Sequence, residues 1–239
     1  RALGMWQFIA STGYRYGLKR DTWIDERMDP IKSTDAAIGY LSDLHNMFGD
    51  WKTALAAYNC GEKRVLNEIN KQKNNLLDDF WDLYQMLPNE TARYVPRFLA
   101  ILHILQDPAA YGFELPQVES ENEYEEITVN KQLDLKTIAR SLDVDSEVLK
   151  DLNPELRQNA TPKSAYSLKI PAGKGEILLA KLSEMPVYYP TVAETAYDGY
   201  HKVRSGETLS SIAKKYKTTV KAIMNANNLT NPDKLKVGM

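Results

Sequence analysis

Asp29-Pro30-Ile31-Lys32-Ser33-Thr34-Asp35-Ala36-Ala37-Ile38-Gly39-Tyr40-Leu41-Ser42-Asp43-Leu44-His45-Asn46-Met47-Phe48 is the stretch on which the fold turns. It opens with a helix-start signal, an acidic residue followed by Pro in the first turn. Ala37, Tyr40, Leu41, Leu44 and Phe48 then recur at helical spacing. Gly49-Asp50 breaks the helix. Downstream, Trp51 to Tyr58 begins another short helix whose Ala54, Leu55, Ala56 and Ala57 allow close packing, and Gly61 separates it from Glu62 to Lys71. Pro88-Asn89-Glu90 opens a further helix through Tyr94, Phe98, Ile101 and Leu105, with Pro96 expected in its first turns, and Asp107-Pro108 closes it. Upstream, Trp6 to Tyr16 reads as a helix ended by Gly17. No alternating strand pattern interrupts these residues, so 1–118 reads as an all-α domain.

The opening residues, Arg1-Ala2-Leu3-Gly4-Met5-Trp6-Gln7-Phe8, put a Met, a Trp and a Phe where chains are usually polar. They read as a start inside a domain, and inside an active site.

The composition changes at Glu119 to Glu126, an acidic stretch taken as a linker. Ile127-Thr128-Val129 then reads as a short strand. An internal repeat follows at an offset of 74 residues: Val129, Leu135, Ile138, Ala139 and Asn153 recur as Val203, Leu209, Ile212, Ala213 and Asn227. Leu142 pairs with Tyr216 and Leu149 with Ile223 in kind. Each unit reads strand, helix, turn, helix, and Ser167 to Pro171 supplies a closing strand in the first. Two short strands with two helices across one face is an economical answer for so small a core. The expected organisation is α+β and multidomain: 1–118 helical, 119–126 linker, 127–172 first βααβ unit, 173–199 linker with a helical stretch at Glu176 to Leu182, and 200–239 second unit. The second stops at Val237-Gly238-Met239, short of its closing strand.

Composition excludes some functions. A formal net charge of −2 gives no global field to attract nucleic acid or anionic lipid. The single Cys60 forbids an internal disulfide, and no apolar run reaches membrane-spanning length. His45, His103 and His201 form no metal-ligand spacing, so neither metal nor cofactor is expected. Tyr outnumbers Phe 14 to 5, which suits a wet, hydrogen-bonding groove.

Three short motifs in order, Gly4-Met5-Trp6-Gln7, Ala56-Ala57-Tyr58-Asn59-Cys60-Gly61 and Glu90-Thr91-Ala92-Arg93-Tyr94-Val95-Pro96, resemble those of the lytic murein transglycosylases, in particular the membrane-bound type D branch. The tail stretch Val203 to Ala213 resembles a LysM module, a small βααβ domain that binds N-acetylglucosamine-containing glycans. The resemblance implies a lysozyme-like fold for 1–118. It also implies cleavage of the MurNAc–GlcNAc β-1,4 bond of peptidoglycan without water, giving a 1,6-anhydro-muramyl product. In that scheme one Glu is first acid and then base, the substrate's acetamido oxygen attacks the anomeric carbon, and the muramyl 6-hydroxyl displaces it. The family's Glu precedes the Gly-x-x-Gln motif, hence Arg1, and residues 1–239 alone are expected to bind peptidoglycan without turnover.

The resemblance further implies that Met5, Trp6, Gln7, Tyr58 and Asn59 line the substrate groove and that Tyr94 orients the acid. Core packing for Met5, Trp6, Tyr58 and Tyr94, a solvated amide for Gln7 and a helix cap for Asn59 are the structural alternatives. Glu62 and Glu90 read as helix first-turn charges, not as the acid. In the tail, Gly206, Glu207, Thr208 and Leu209 are expected to form one wall of a glycan groove, and the Asn225 to Asn231 segment, with Asn225, Asn227 and Asn228, the other. The first unit has Lys131-Gln132-Leu133-Asp134 where the tail has Ser205-Gly206-Glu207-Thr208, so it is expected to keep the fold with weak or no glycan binding. The implied partners are glycan strands, not nucleic acid, met as a monomer in the periplasm, with any membrane contact through a lipid anchor on the outer membrane. A lysozyme-type muramidase that uses water and a non-catalytic peptidoglycan-binding protein are the alternatives.

Overall fold

The computed structural model describes residues 1–72, 78–116, 123–189, 201, 203–216, 218–227, 229, 231–232 and 235. The helical part comprises α1 (Ala10–Arg15), α2 (Pro30–Phe48), α3 (Trp51–Cys60), α4 (Glu62–Asn70), α5 (Phe80–Leu83) and α6 (Asn89–Gln106). Asp side chains start several of these. Asp29 accepts from the amides of Ile31 and Lys32, Asp50 from Thr53, and Asp79 from Trp81 and Asp82. Gly49, in the left-handed region, stops α2 by returning its N–H to the His45 carbonyl.

α3 sits at the centre, packed on α2, α4, α5 and α6. Its Ala54, Ala56 and Ala57 are fully buried, so the neighbouring helices approach without large side chains between them. Leu44, Phe80, Leu83 and Val95 fill the remaining space.

Two expectations change. Residues 3–8 form a tight turn closed by a Leu3–Phe8 bridge, so the first helix begins at Ala10, not Trp6. Pro96 lies well inside α6. It cannot donate to the Ala92 carbonyl, yet tertiary packing of Val95 and Ala92 carries the helix through.

The first small unit has β1 (Tyr124–Val129) antiparallel to β2 (Tyr166–Pro171), in register from Tyr124 opposite Pro171 to Val129 opposite Tyr166. Alternate residues Tyr166, Leu168 and Ile170 are buried. α7 (Leu135–Leu142) and α8 (Ser146–Leu152) pack against them. β1 begins inside the acidic stretch expected as linker. α9 (Gly175–Lys181) follows, and its Leu178, with Met185, is buried in the same core, so the unit extends past Ala172 into the second expected linker. In the second unit α10 (Leu209–Lys215) and α11 (Val220–Ala226) are present, with Val203, Leu209, Ile212 and Ala213 buried. No strand is found there among the described residues. None of the described helices is long and apolar enough to cross a membrane.

Candidate active site

The end of α3 brings the three helical-domain motifs together. Gly61, at φ 92°, stops the helix and leaves Tyr58 and Asn59 in its last turn. The Tyr58 hydroxyl donates to the Trp6 carbonyl at 2.7 Å. The Thr91 hydroxyl, on α6, donates to Asn59 Oδ1 at 2.7 Å. Tyr94, one turn beyond Thr91, is half-buried against the same core. Tyr58 also stands edge-on to Phe8 and 5.2 Å from the Tyr40 ring.

The turn at residues 3–8 is built for its place. Gly4 has φ +77°, and a Cβ there would fall 1.8 Å from the Arg27 carbonyl oxygen, so only Gly fits. Gln7 is also left-handed, with its backbone N–H and its amide Nε2 both donating to the Gly4 carbonyl. Met5, 72% exposed, and Gln7 stand at the tip. Trp6 is half-buried, its indole N–H on the Thr34 hydroxyl at 2.8 Å. Of the alternatives, core packing thus fits Trp6 and Tyr58 in part and does not fit Met5.

Beneath this turn lies a pair that the sequence reading missed. Arg27 is buried, forks onto both oxygens of Asp25, and donates from Nη1 to the carbonyls of Phe8 and Arg1, each at 3.0 Å. Its only sequence signal was a charge cluster, Asp25-Glu26-Arg27, of the kind that ordinarily marks a solvated loop.

The two carboxylates in or beside the motifs, Glu62 and Glu90, sit in different surroundings. Glu62 accepts from Arg15 at 3.0 Å and from the Tyr40 hydroxyl at 2.9 Å. Partial burial would raise its pKa, but its own helix-start amide, Tyr40 and Arg15 outweigh that and hold it below the ordinary carboxylate value. Glu90 is exposed in the first turn of α6. The Tyr58 hydroxyl is pushed up to about 12, first by burial and then by neighbouring Tyr94. A cleft of about 350 Å³ opens elsewhere, between Tyr16, Glu26, Lys32 and Asp35. None of the expected site residues lines it.

In the second unit Gly206, at φ +84°, turns the chain with open space around it. Glu207 closes that turn on the Arg204 amide and meets His201 Nε2 at 2.6 Å, contacts that hold its carboxyl below the usual range. Thr208 forms a capping box with Ser211, and Leu209 is buried. These are turn, cap and core roles. Asn227 is exposed and its amide donates to the Ile223 carbonyl, as Asn153 donates to Leu149 in the first unit. Asn228 lies outside the described residues, as does the Asn225 side chain.

Residues 1–80 match the Transglycosylase SLT domain, residues 123–187 the LysM-like domain of lytic transglycosylase MltD, and residues 201–239 the LysM domain. The chain is 33% identical over 250 residues to membrane-bound lytic murein transglycosylase D of Escherichia coli strain K12, covering 99% of this chain and 54% of that protein. The figures for the same-named protein of Escherichia coli O6:H1 are the same. The chain therefore spans about half the length of the curated relatives it matches.

Proposed function

We propose, for a chain that belongs with the membrane-bound type D lytic murein transglycosylases, that its helical domain forms the glycan groove of a peptidoglycan-cleaving lyase. The observation that carries this reading is the meeting of three separate motif segments: Tyr58 bonded to Trp6, Asn59 bonded to Thr91, and Tyr94 one turn away. Met5 and Gln7 offer exposed thioether and amide groups beside them. An amide of this kind suits acetamido and hydroxyl recognition.

Breaking a glycosidic bond requires a proton for the leaving oxygen and a partner for the developing positive charge at the anomeric carbon. In the proposed reaction one Glu supplies and later recovers the proton. The substrate's acetamido oxygen forms a bond to the anomeric carbon as the leaving oxygen departs protonated. The muramyl 6-hydroxyl then takes the acetamido oxygen's place, and its proton returns to the Glu. No water enters the product. Glu62, held ionised by Arg15 and Tyr40, is a poor donor. By the family resemblance, the donor is proposed to lie N-terminal to Gly4. Tyr94 serves as its orienting hydroxyl.

The second LysM-type unit is proposed to hold the same glycan through its turn at Gly206 and the segment after Asn225, as a monomer in the bacterial cell envelope. That envelope location follows the relatives, whose name is membrane-bound.

The test is the mass of muropeptides released from purified peptidoglycan by the intact protein. Anhydro-muramyl ends, one water lighter than reducing ends, are expected. Reducing ends alone make the protein a muramidase, and binding without any release makes it a scaffold. Robust cleavage by residues 1–239 alone would return Glu62 and Glu90 to candidacy.

A further inference from the structure

The first LysM-like unit is held to the helical domain by bonds that its sequence repeat does not explain. Ile24 and Leu156 form an antiparallel bridge. The Asp25 amide donates to the Glu155 carbonyl at 2.9 Å, and the Arg157 amide to the Trp23 carbonyl at 2.8 Å. Arg157 Nη1 reaches the Asp21 carbonyl, Gln158 Nε2 the Thr22 carbonyl, and Lys169 Nζ the Asp29 carboxylate. Ile24 packs into the unit's own core. This is a strand-like edge pairing between two domains, in which main-chain bonds give the attraction.

The repeat offset identifies the edge used. In the second unit the proposed glycan walls are Gly206–Leu209 and Asn225–Asn231. Their counterparts in the first unit are Gln132–Leu135 and Asp151–Arg157. The second of these carries Glu155, Leu156 and Arg157, the residues seated on Trp23–Asp25. Next to the first, the Gln132 carbonyl accepts from the Tyr188 amide, and Lys131 Nζ donates to the Met185 carbonyl. Protein therefore engages both segments.

The pairing continues inward. Asp25, whose amide is bonded to the unit, is forked by Arg27, and Arg27 holds the carbonyls of Phe8 and Arg1 at the two ends of the turn that displays Met5, Trp6 and Gln7. Asp25 and Arg27 are 2% and 3% exposed, so the path is shielded from water and from screening.

We infer that the first LysM-like unit is an intramolecular clamp: the edge that would face a glycan pairs with Trp23–Asp25 instead, and Arg27 is the positioning residue that passes this pairing to the Met5–Gln7 turn. Its consequence for catalysis rests on the reading of that turn as a groove wall. The clamp itself does not, and the test separates the two.

Hydrogen–deuterium exchange is read on the full chain. Ile24→Asp places a carboxylate in the seam. It should speed exchange over residues 1–9 and 20–29 about tenfold while the α7 amides keep their protection. Arg27→Gln should speed 1–9 by a similar factor, leave the Arg157 amide protected, and be partly rescued by Arg27→Lys. Should Ile24→Asp unfold the unit, seen as loss of α7 protection, Arg27→Gln decides alone. Unchanged exchange over 1–9 in Arg27→Gln overturns the relay.

Addition of an N-acetylglucosamine oligomer should then protect residues 203–227 and leave 131–135 and 155–158 unchanged. Protection at 131–135 or 155–158 overturns the clamp. Protection nowhere, with the variant pattern as expected, fails the glycan reading and supports the clamp.

Discussion

Glu62 illustrates how a single residue separates structure from chemistry. It is a carboxylate next to a motif, at a helix start, near the residues expected to hold substrate, yet both oxygens are already taken by Arg15 and Tyr40. Glu62→Gln should cost about 1 kcal/mol or less in urea unfolding, since Arg15 is half-exposed and the pair is well screened. It should leave turnover of the intact protein within about tenfold of the parent, where loss of a true proton donor costs about 10² or more. Tyr58 is a second such case, a residue whose hydroxyl holds the Trp6 carbonyl. Tyr58→Phe removes its bond to the Trp6 carbonyl and should lower stability by about 1 kcal/mol. The pH sign follows from its raised pKa. The folded state keeps the hydroxyl's proton to about 12, whereas an unfolded tyrosine loses it near 10. The contribution of Tyr58 is therefore complete below pH 10 and falls as pH rises from there toward 12. Absorbance titration should show a tyrosine ionising near 12 that is missing in Tyr58→Phe.

At the scale of elements, the helices were legible where caps and apolar spacing agreed. Asp29-Pro30, with Ala37, Tyr40 and Leu44 behind it, gave α2 within a residue of its observed start, because each signal acts within a turn or two of chain. The first helix was overextended. Met5, Trp6 and Phe8 have apolar side chains suited to a helix face, but Gln7 is left-handed and Gly4 must pass the carbonyl of Arg27, some 20 positions away. Asp29 combines the two levels, capping α2 and meeting Lys169 of the first small unit. Asp29→Asn keeps an acceptor for the Ile31 and Lys32 amides and loses only the charge opposite Lys169. Asp29→Ala loses both. Denaturant unfolding should rank Asp29→Ala below Asp29→Asn by about 1 kcal/mol, the worth of the cap.

At the scale of the whole molecule, the helical domain and the first unit share buried groups. Heat should therefore unfold residues 1–189 in one transition, checked in a calorimeter by agreement of the measured and van't Hoff enthalpies. Acid should weaken this joint unit. Burial by itself would raise the Asp25 pKa, but Arg27's bonds and charge override it and hold the carboxyl below its ordinary value. As pH falls below about 4 the unfolded chain takes up the Asp25 proton first, so stability is present above that pH and is lost as pH drops through the folded pKa. Thermal midpoints measured between about pH 5 and pH 3 should fall, and fall less in Asp25→Asn, which starts lower.

Sequence by itself determined the capped helix start at Asp29-Pro30, the repeat, its buried positions and the three motifs, since caps, periodicity and recurring core residues are local and survive without knowledge of neighbours. It anticipated that the first repeat departs from its twin, because the glycine turn is visibly missing. It gave no hint of where that repeat goes. Bonds between Trp23–Asp25 and Glu155–Arg157 join main-chain groups far apart in the chain, and main-chain groups carry no residue signature. Arg27 was hidden for the same reason: a charged side chain reads as solvated until the fold supplies Asp25 and two carbonyls to receive it. Only the tertiary structure decides which polar groups leave water, because that depends on what each can pair with once buried.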